Sequence, residues 1–229
     1  MFQLAELRHM VRIPPWCFGQ SLNDAVIQEL NKKLANKVVL NVGLCIVLFD
    51  LTSVGDSYIF PGDGASHTKV TFRYLVFRPF VEEIIEGAVK ASNAEGIQVS
   101  LGFFEDIYIR SDNMMTSSHY DETEKLWVWD YETDGETHHL FIDIGETIRF
   151  KVVAEQFTDT TPSGPEASET ESGTMERKEG KIPYLIYGAI NDQGLGLVSW
   201  WNASEGGEEE EEEEEDEVEE EDDLEEEAP

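Results

Sequence analysis

Five histidines and two cysteines are the residues of this 229-residue chain whose chemistry suits metal binding or nucleophilic attack. His138 and His139 are adjacent, and adjacent side chains on a strand point to opposite faces, so the pair favours an exposed turn over a shared metal. His67 follows Asp63 by four residues, but a metal site needs a third and a fourth ligand that the sequence does not indicate. Neither cysteine has the local signature of a catalytic thiol, and two cannot build a disulfide framework. We therefore expect no metal, no cofactor and no catalytic residue.

Two glycine motifs resemble nucleotide-binding loops only in part. Pro61-Gly62-Asp63-Gly64 lacks the Gly-Lys-Ser/Thr ending that holds phosphates, so its simplest interpretation is a tight turn. Gly194-Leu195-Gly196 lacks the third glycine of a dinucleotide fingerprint and is followed by strand-like residues. The sequence therefore disfavours an enzyme.

Aromatic rings with a few nearby bases indicate a different chemistry, the stacking of single-stranded RNA bases. The candidate contact residues are Phe103, Phe104, Tyr108, Arg110, Arg149 and Lys151. The opposing argument is charge, because residues 81–157 hold 5 bases and 17 acids and so have no long-range attraction for phosphates. Most rings in this region then belong to the core or to a protein interface.

The acidic residues are concentrated at the end of the chain. The net charge is −33, and the last 25 residues contain 19 acids and no base. This charge disfavours a protein that coats duplex DNA, because such binding neutralises phosphates with Lys and Arg. Three interpretations of residues 205–229 remain open: a solvated tail, a segment that binds basic partners or mimics nucleic acid, and an autoinhibitor of the basic patch in the first 80 residues.

Residues 1–80 predict a small α+β domain in which one main helix packs on an antiparallel sheet. Ser21 and Asp24 form a capping pair, and apolar residues at helical spacing predict a helix from about 22 to 36. Strand-like segments lie at 2–11 and 38–49, and side chains alternate over 70–77. The sequence Arg78-Pro79-Phe80 is a plausible boundary, since proline closes a strand.

Residues 81–204 show short strand signals separated by glycines, which is typical of an OB-type β-barrel. The last two strands are predicted at 184–190 and 195–201. The segment of about 158–181 is rich in Ser, Thr, Pro, Gly and Glu and predicts a disordered insertion, and 205–229 predicts a disordered acidic tail. No apolar run is long enough to span a membrane, since 38–49 has twelve residues and a span needs about 20. We expect a soluble, intracellular protein.

Several motifs resemble one known family. Phe60-Pro61-Gly62-Asp63-Gly64-Ala65-Ser66-His67-Thr68-Lys69-Val70 and Val76-Phe77-Arg78-Pro79-Phe80 resemble the larger stalk subunit of multisubunit RNA polymerases, a family with archaeal and eukaryotic members. Further motifs resemble the RNA polymerase III branch of this family: Ile13-Pro14-Pro15-Trp16, Leu30-Asn31-Lys32-Lys33-Leu34-Ala35-Asn36-Lys37, Val99-Ser100-Leu101-Gly102-Phe103-Phe104, Trp127-Val128-Trp129 and Gly194-Leu195-Gly196-Leu197-Val198-Ser199-Trp200-Trp201. The similarity covers about residues 1–201, is most specific over 30–80, and stops at the acidic tail.

The resemblance implies an N-terminal tip domain that anchors a stalk in the core enzyme and a C-terminal OB barrel, with no active site. It implies a smaller helical stalk subunit and RNA polymerase III core subunits as partners, contact with initiation factors and nascent RNA in the synthesis of small RNAs, and a nuclear location. By position, the core-docking residues are Pro14, Pro15, Trp16, Phe18, Gly19, Phe60, Pro61, Gly62, Asp63 and Gly64. The competing hypotheses are a free-standing OB-type RNA-binding protein with an acidic regulatory tail and an acidic chaperone for basic proteins.

Overall fold

The computed structural model describes residues 1–133, 136–160 and 181–202 and contains two compact units. The first unit comprises Met1–Glu83 and the described residues of Glu155–Leu185, and the second comprises the described residues of Ile84–Ala154 and Ile186–Pro229. Most of the insertion predicted over 158–181, and all of the tail predicted over 205–229, lie outside the described residues. Among the helices that are described, none has the length and apolar character needed to cross a membrane. The domain ranges 1–80 and 81–204 stay predictions.

The first unit is an antiparallel four-stranded sheet covered by one helix, as the sequence predicts. Its elements are β1 (Phe2–Ile13), α1 (Leu22–Leu34), β2 (Lys37–Val39), β3 (Gly43–Ile59) and β4 (Ser66–Phe77). The strand order is β1-β4-β3-β2. β4 pairs with β1 on one side and with β3 on the other. Its alternate residues Val70, Phe72 and Tyr74 are fully buried, and they form one core with the apolar side of α1. Alternation of side chains along a strand therefore fixes which face of the sheet receives the helix.

Helix α1 begins and ends close to the predicted positions because its signals are local. The Ser21 hydroxyl accepts a hydrogen bond from the Asp24 backbone N–H at 3.2 Å, which is the predicted cap. Ala25, Val26 and Leu30 are buried at helical spacing. One polar side chain on the inner side, Asn31, accepts hydrogen bonds through Oδ1 from the Tyr74 hydroxyl at 2.9 Å and from the Leu48 backbone N–H at 3.1 Å.

The second unit is built on a closed five-stranded barrel, which confirms the predicted fold class. The barrel strands are β5 (Ile84–Asn93), β6 (Gly96–Ser100), β7 (Ile107–Arg110) and those parts of β11 (Thr147–Phe157) and β12 (Tyr184–Ala189) that belong to the second unit. They follow one another as β5-β6-β7-β12-β11, and β11 pairs again with β5, so no barrel edge is open. β7 and β12 are parallel, and the pairs β5–β6, β6–β7 and β5–β11 are antiparallel. The order and the parallel pair are those of a Greek-key barrel of the OB type.

Two features outside the barrel differ from the sequence prediction. A separate three-stranded sheet, in the order β10-β9-β8, was not predicted; its strands are β8 (Ser118–Asp121), β9 (Leu126–Thr133) and β10 (Glu136–Ile142). The strand predicted at 195–201 is wrong beyond its start, because only β13 (Gly196–Leu197) is extended and α2 (Ser199–Asn202) is helical. The chain turns back there, and the ring of Trp200 packs against Gly196, where a Cβ atom would lie 2.6 Å from Cζ3 of that ring.

Candidate docking surface

The loop that follows β1 presents two aromatic rings to solvent. Residues Pro15–Cys17 form a 3-10 turn, in which the Cys17 backbone N–H donates to the Pro14 carbonyl at 3.0 Å and the Phe18 N–H donates to the Pro15 carbonyl at 3.1 Å. Cys17 is buried beneath the turn, whereas Trp16 is 80% exposed and Phe18 about half exposed. The two prolines and the hydrogen bonds thus fix a loop that holds the Trp16 ring in solvent and leaves half of Phe18 exposed.

The second predicted docking segment, Phe60 to Gly64, is the turn between β3 and β4. The Asp63 backbone N–H donates to the Phe60 carbonyl at 3.3 Å, and Gly62 and Gly64 have φ angles of +91° and +68°. Those angles lie in the left-handed region, which favours glycine at both positions. The plain interpretation of Pro61-Gly62-Asp63-Gly64 as a tight turn agrees with this geometry.

The side chain of Asp63 ties this turn to the rest of the sheet. Its Oδ1 atom lies 2.6 Å from Arg12 Nη2, and its Oδ2 atom lies 2.6 Å from His67 Nε2. Hydrogen bonds from Arg12 and then from His67 lower the pKa of Asp63 to about 2. The ring of His67 also packs edge-on against Phe60, with ring centroids 4.9 Å apart. In the described part of the chain no three His, Cys, Asp or Glu residues are placed to hold a metal, and Asp63 with His67 serves as a clamp on the turn.

The structure brings the two predicted segments together at one end of the first unit. β1 ends at Ile13 and β3 ends at Ile59, and both residues pair with Ser66, the first residue of β4. An open groove of about 300 Å³ lies between the loops, and its lining includes Ile13, Cys17, Phe18, Leu22, Ile59 and Ser66. We call the exposed side chains of Trp16, Phe18, Leu22, Tyr58, Ile59 and Phe60, with this groove, the loop-end surface.

Sequence reasoning missed three members of the loop-end surface. Leu22 falls at the helical spacing of the apolar face of α1, but 42% of it is exposed. Tyr58 and Ile59 were not singled out, although both are about 60% exposed and stand directly before Phe60-Pro61. Tyr58, Ile59 and Phe60 form a run of three large apolar residues directly before a proline-glycine turn, and this run is the signal that predicts their exposure. The end of a strand that enters a turn is solvent-exposed where no helix covers it.

The residues predicted to contact RNA lie in the second unit, and most face outward from the barrel. Tyr108, Arg110, Arg149 and Lys151 alternate with buried barrel residues such as Ile109 and Phe150, which places them on the outer side. Phe103 is 45% exposed, whereas Phe104 is 6% exposed and so offers no open ring face to a base. Sequence reasoning missed Tyr187, which pairs in register with Tyr108 on the outer side.

The positive charges on this outer side are already engaged. Arg149 donates to Glu86 through Nε at 2.9 Å and Nη2 at 2.7 Å, and Lys151 forms an ion pair with Asp192. The Arg110 guanidinium lies 4.2 Å from the centroid of the Tyr187 ring, a cation–π contact. A phosphate would therefore compete with carboxylates at Arg149 and Lys151, and with the Tyr187 ring at Arg110.

Comparison with known proteins agrees with these features. Residues 83–201 match the family described as "RNA polymerase III subunit Rpc25", and residues 8–64 match the "SHS2 domain found in N terminus of Rpb7p/Rpc25p/MJ0397". The two matches fall on the barrel-containing part and on the helix-covered sheet.

Individual relatives give the same assignment. The chain is 54% identical to "DNA-directed RNA polymerase III subunit RPC8" of Bos taurus over 204 residues, which is 89% of this chain and 100% of the bovine protein. It is 40% identical to the protein of the same description in Saccharomyces cerevisiae, over 88% of this chain and 100% of that protein. It is 28% identical to "DNA-directed RNA polymerase subunit Rpo7" of Saccharolobus solfataricus, over 70% of this chain and 86% of that protein. The resemblance read from the sequence motifs is thus confirmed, and the chain belongs to the family of RNA polymerase III subunit Rpc25.

Proposed function

We propose that this chain is a non-catalytic adaptor of nuclear RNA polymerase III, in which the first unit docks on the core enzyme and a smaller helical subunit completes the stalk. The stalk supports initiation and contact with emerging RNA in the synthesis of small RNAs. The observation that carries this proposal is the loop-end surface, where six exposed apolar side chains lie on two turns of fixed shape and on the ends of β3 and α1 beside them. Aromatic side chains of this kind are the usual anchors of protein interfaces, and a loop ordered before binding loses less entropy on association.

A second exposed apolar region suits the smaller subunit. Leu4 on β1 and Val47 on β3 both pair with Leu75 of β4, so the three side chains form one row across the sheet face opposite α1. Leu4 and Val47 are nearly half exposed. A partner helix laid across this row would bury its apolar side against the sheet, which supports pairing with a helical protein.

The docking proposal predicts that Trp16→Ala combined with Phe18→Ala releases the chain from the polymerase core. Loss of anchor residues of an interface weakens association by about 2 kcal/mol or more, roughly 30-fold. Because Trp16 is 80% exposed, its truncation should change the stability of the isolated chain by no more than about 0.5 kcal/mol. Affinity purification of the tagged double variant should recover the smaller subunit without the core subunits.

The matched control is Phe80→Ala combined with Val81→Ala. Both residues are 60% exposed in the first unit and are not part of the loop-end surface. This variant should copurify with the whole polymerase. If the Trp16 and Phe18 double variant also copurifies with the core at the level of the control, the loop-end surface is not the docking site.

Contact with RNA is the finer part of the proposal and rests on Tyr108, Arg110 and Tyr187 on the outer side of the barrel. The purified chain should bind a single-stranded RNA oligonucleotide at about 50 mM salt and lose it as salt rises. Arg110→Ala should weaken that binding, and Lys37→Ala, in the first unit, should not. Equal loss in both variants would show attraction to bulk charge only, and no binding at low salt would leave the barrel as a protein-interaction module.

The competing hypotheses predict different assemblies. A component of the polymerase stalk should elute from a native extract in a particle many times its own mass of 25.9 kDa, whereas a free RNA-binding protein should not. An acidic chaperone should lose its function when residues 205–229 are deleted, whereas a docking surface in the first unit should still assemble into the polymerase.

A further inference from the structure

The second unit contains an aromatic groove that the proposed polymerase and RNA contacts do not use. Its volume is about 540 Å³, and its lining includes Met115, Trp129, Tyr131, Leu140, Gln193 and Trp200. We call it the Trp200 groove. Leu140 pairs directly with Trp129 across the β9–β10 ladder, so one wall is the three-stranded sheet, and Trp200 in α2 packs beside Trp129. None of the six residues predicted to contact RNA lines it.

Three rings form a continuous run along this groove. The centroids of Tyr131 and Trp129 lie 5.0 Å apart with the planes at 51°, and those of Trp129 and Trp200 lie 5.3 Å apart at 39°. The rings are tilted, so they leave clefts between them in place of a flat stacking platform. The run extends over at most about 10 Å, which matches the roughly 9 Å rise of three residues in a polyproline II helix.

One polar group of the groove has no acceptor among the described residues. The indole N–H of Trp129 donates to the Thr116 carbonyl and that of Trp201 donates to the Leu195 carbonyl. No acceptor for the Trp200 indole N–H occurs in the part of the chain that the structure describes, although the benzo edge of its ring is held against Gly196. A fixed ring with an available N–H suits a ligand whose carbonyl groups are not used internally, and the polyproline II backbone has no internal hydrogen bonds.

Carboxylates mark the Trp200 end of the groove. Glu146 Oε2 accepts a hydrogen bond from the hydroxyl of Ser199, the residue before Trp200, at 3.0 Å. Asp192 directly precedes Gln193 of the lining, but its charge is balanced by the ion pair with Lys151. The lining residues include no Lys or Arg, and residues 84–154 with 186–202 contain 15 acids and 5 bases. A ligand with a basic residue at one end is therefore favoured over an acidic peptide or a nucleic acid.

We propose that the Trp200 groove binds a proline-rich peptide segment in the polyproline II conformation, with an arginine or lysine beside its prolines. The clefts between the tilted rings receive prolines, the Trp200 N–H donates to a backbone carbonyl of the peptide, and Glu146 attracts its basic end. Aromatic-lined grooves recognise such peptides because the ligand is already ordered before it binds. This site is independent of docking through the first unit.

The test uses the full-length chain and a fluorescein-labelled peptide of two Pro-Leu-Pro repeats with an arginine at each end. Fluorescence anisotropy should show saturable binding, and peptides with glycine for each proline or glutamate for each arginine should bind more weakly. Trp200→Ala and Tyr131→Ala should each weaken binding by about tenfold or more. Trp200→Phe keeps a ring but removes the N–H, so a loss of about two- to tenfold is expected.

The matched control is Phe141→Ala, which removes a ring about as exposed as that of Tyr131. Phe141 follows Leu140 on β10 and points to the other face of the sheet. It should leave the affinity within about twofold of the parent chain. Circular dichroism checks that each variant is folded. If Trp200→Ala does not fold, Trp200→Phe still tests whether the indole N–H contributes to peptide binding. The proposal is overturned if the glycine peptide binds equally well, or if Phe141→Ala weakens binding as much as Trp200→Ala. The groove would be assigned to nucleic acid instead if the parent chain binds a uridine oligonucleotide but not the peptide, and Trp200→Ala no longer binds the oligonucleotide.

Discussion

Replacement of Asn31 in the first unit distinguishes the loss of a shared acceptor, which leaves buried donors unpaired, from the loss of a single donor. Its Oδ1 atom accepts from the hydroxyl of fully buried Tyr74 and from the backbone N–H of Leu48. Leu48 lies between register shifts in the β3–β4 ladder, so the ladder does not run evenly past this N–H. Asn31→Ala therefore leaves two donors without their acceptor, whereas Tyr74→Phe removes one donor and leaves Asn31 bonded to Leu48.

The two variants should differ in stability by a measurable amount. Tyr74→Phe removes one neutral hydrogen bond and should lower the free energy of unfolding by about 1 kcal/mol. Asn31→Ala leaves two polar groups unpaired, at about 1–3 kcal/mol each, and alanine returns at most about 0.7 kcal/mol through its helix propensity. We expect Asn31→Ala to lower the free energy of unfolding by about 1.5–5 kcal/mol.

Urea unfolding of the two variants, monitored by far-UV circular dichroism, measures this difference. Asn23→Ala is the matched control, since the same substitution is made at an exposed position of α1 and should stay within about 0.5 kcal/mol of the parent. The double variant of Asn31 and Tyr74 should cost less than the sum of the single changes, because the two residues share one hydrogen bond. If Asn31→Ala is no more destabilising than Tyr74→Phe, the argument from unsatisfied donors is refuted.

Three further results are expected. Gly188→Ala should lower the free energy of unfolding by about 1–3 kcal/mol in urea titration, because its Cβ would lie 2.8 Å from Cδ2 of Phe150 in the barrel core, whereas Gly19→Ala, which meets no atom within 4 Å, should be neutral. The pKa of Asp63 is about 2 in the folded chain, below the ordinary value near 3.9, so its stabilising effect should be complete above pH 4 and lost as the pH falls through about 2. Carbon NMR of the carboxyl group measures this pKa, and a value above 3.9 would contradict the clamp. Burial, followed by the nearby Glu155 carboxylate, raises the pKa of Tyr184, so a phenolate absorbance titration should find this tyrosine protonated well above pH 10 until the chain unfolds, and ionisation near 10 in the folded chain would contradict it.

Elements with local signals could be predicted from the sequence closely. The capping pair and the helical spacing of apolar residues gave a helix at about 22–36, and α1 occupies Leu22–Leu34. Alternation over 70–77 predicted the central strand β4 for the same reason. Motif resemblance added what periodicity cannot provide, the family and the expected docking residues, and the family is confirmed.

Elements that depend on distant partners could not be predicted. β3 runs for 17 residues with four register shifts against β4, and such shifts are a property of the pairing of two strands that the residue pattern of one strand does not reveal. The sheet of β8, β9 and β10 was missed because its aromatic residues were considered only as rings. Arg12 clamps Asp63 across 51 positions of sequence, a pairing that appears only when β1 and β4 are aligned.

The clamp explains why the loop-end surface can expose large apolar side chains without losing its shape. A ring such as Trp16 contributes little to folding, so its loop would be free to collapse onto the groove if the backbone were not held elsewhere. The 3-10 turn holds one loop through its own hydrogen bonds, and the Asp63 side chain holds the other through Arg12 and His67. Stability and the proposed docking therefore depend on different atoms of the same loops. Substitution of Trp16 should act on association alone, whereas substitutions of Asp63 should act on both.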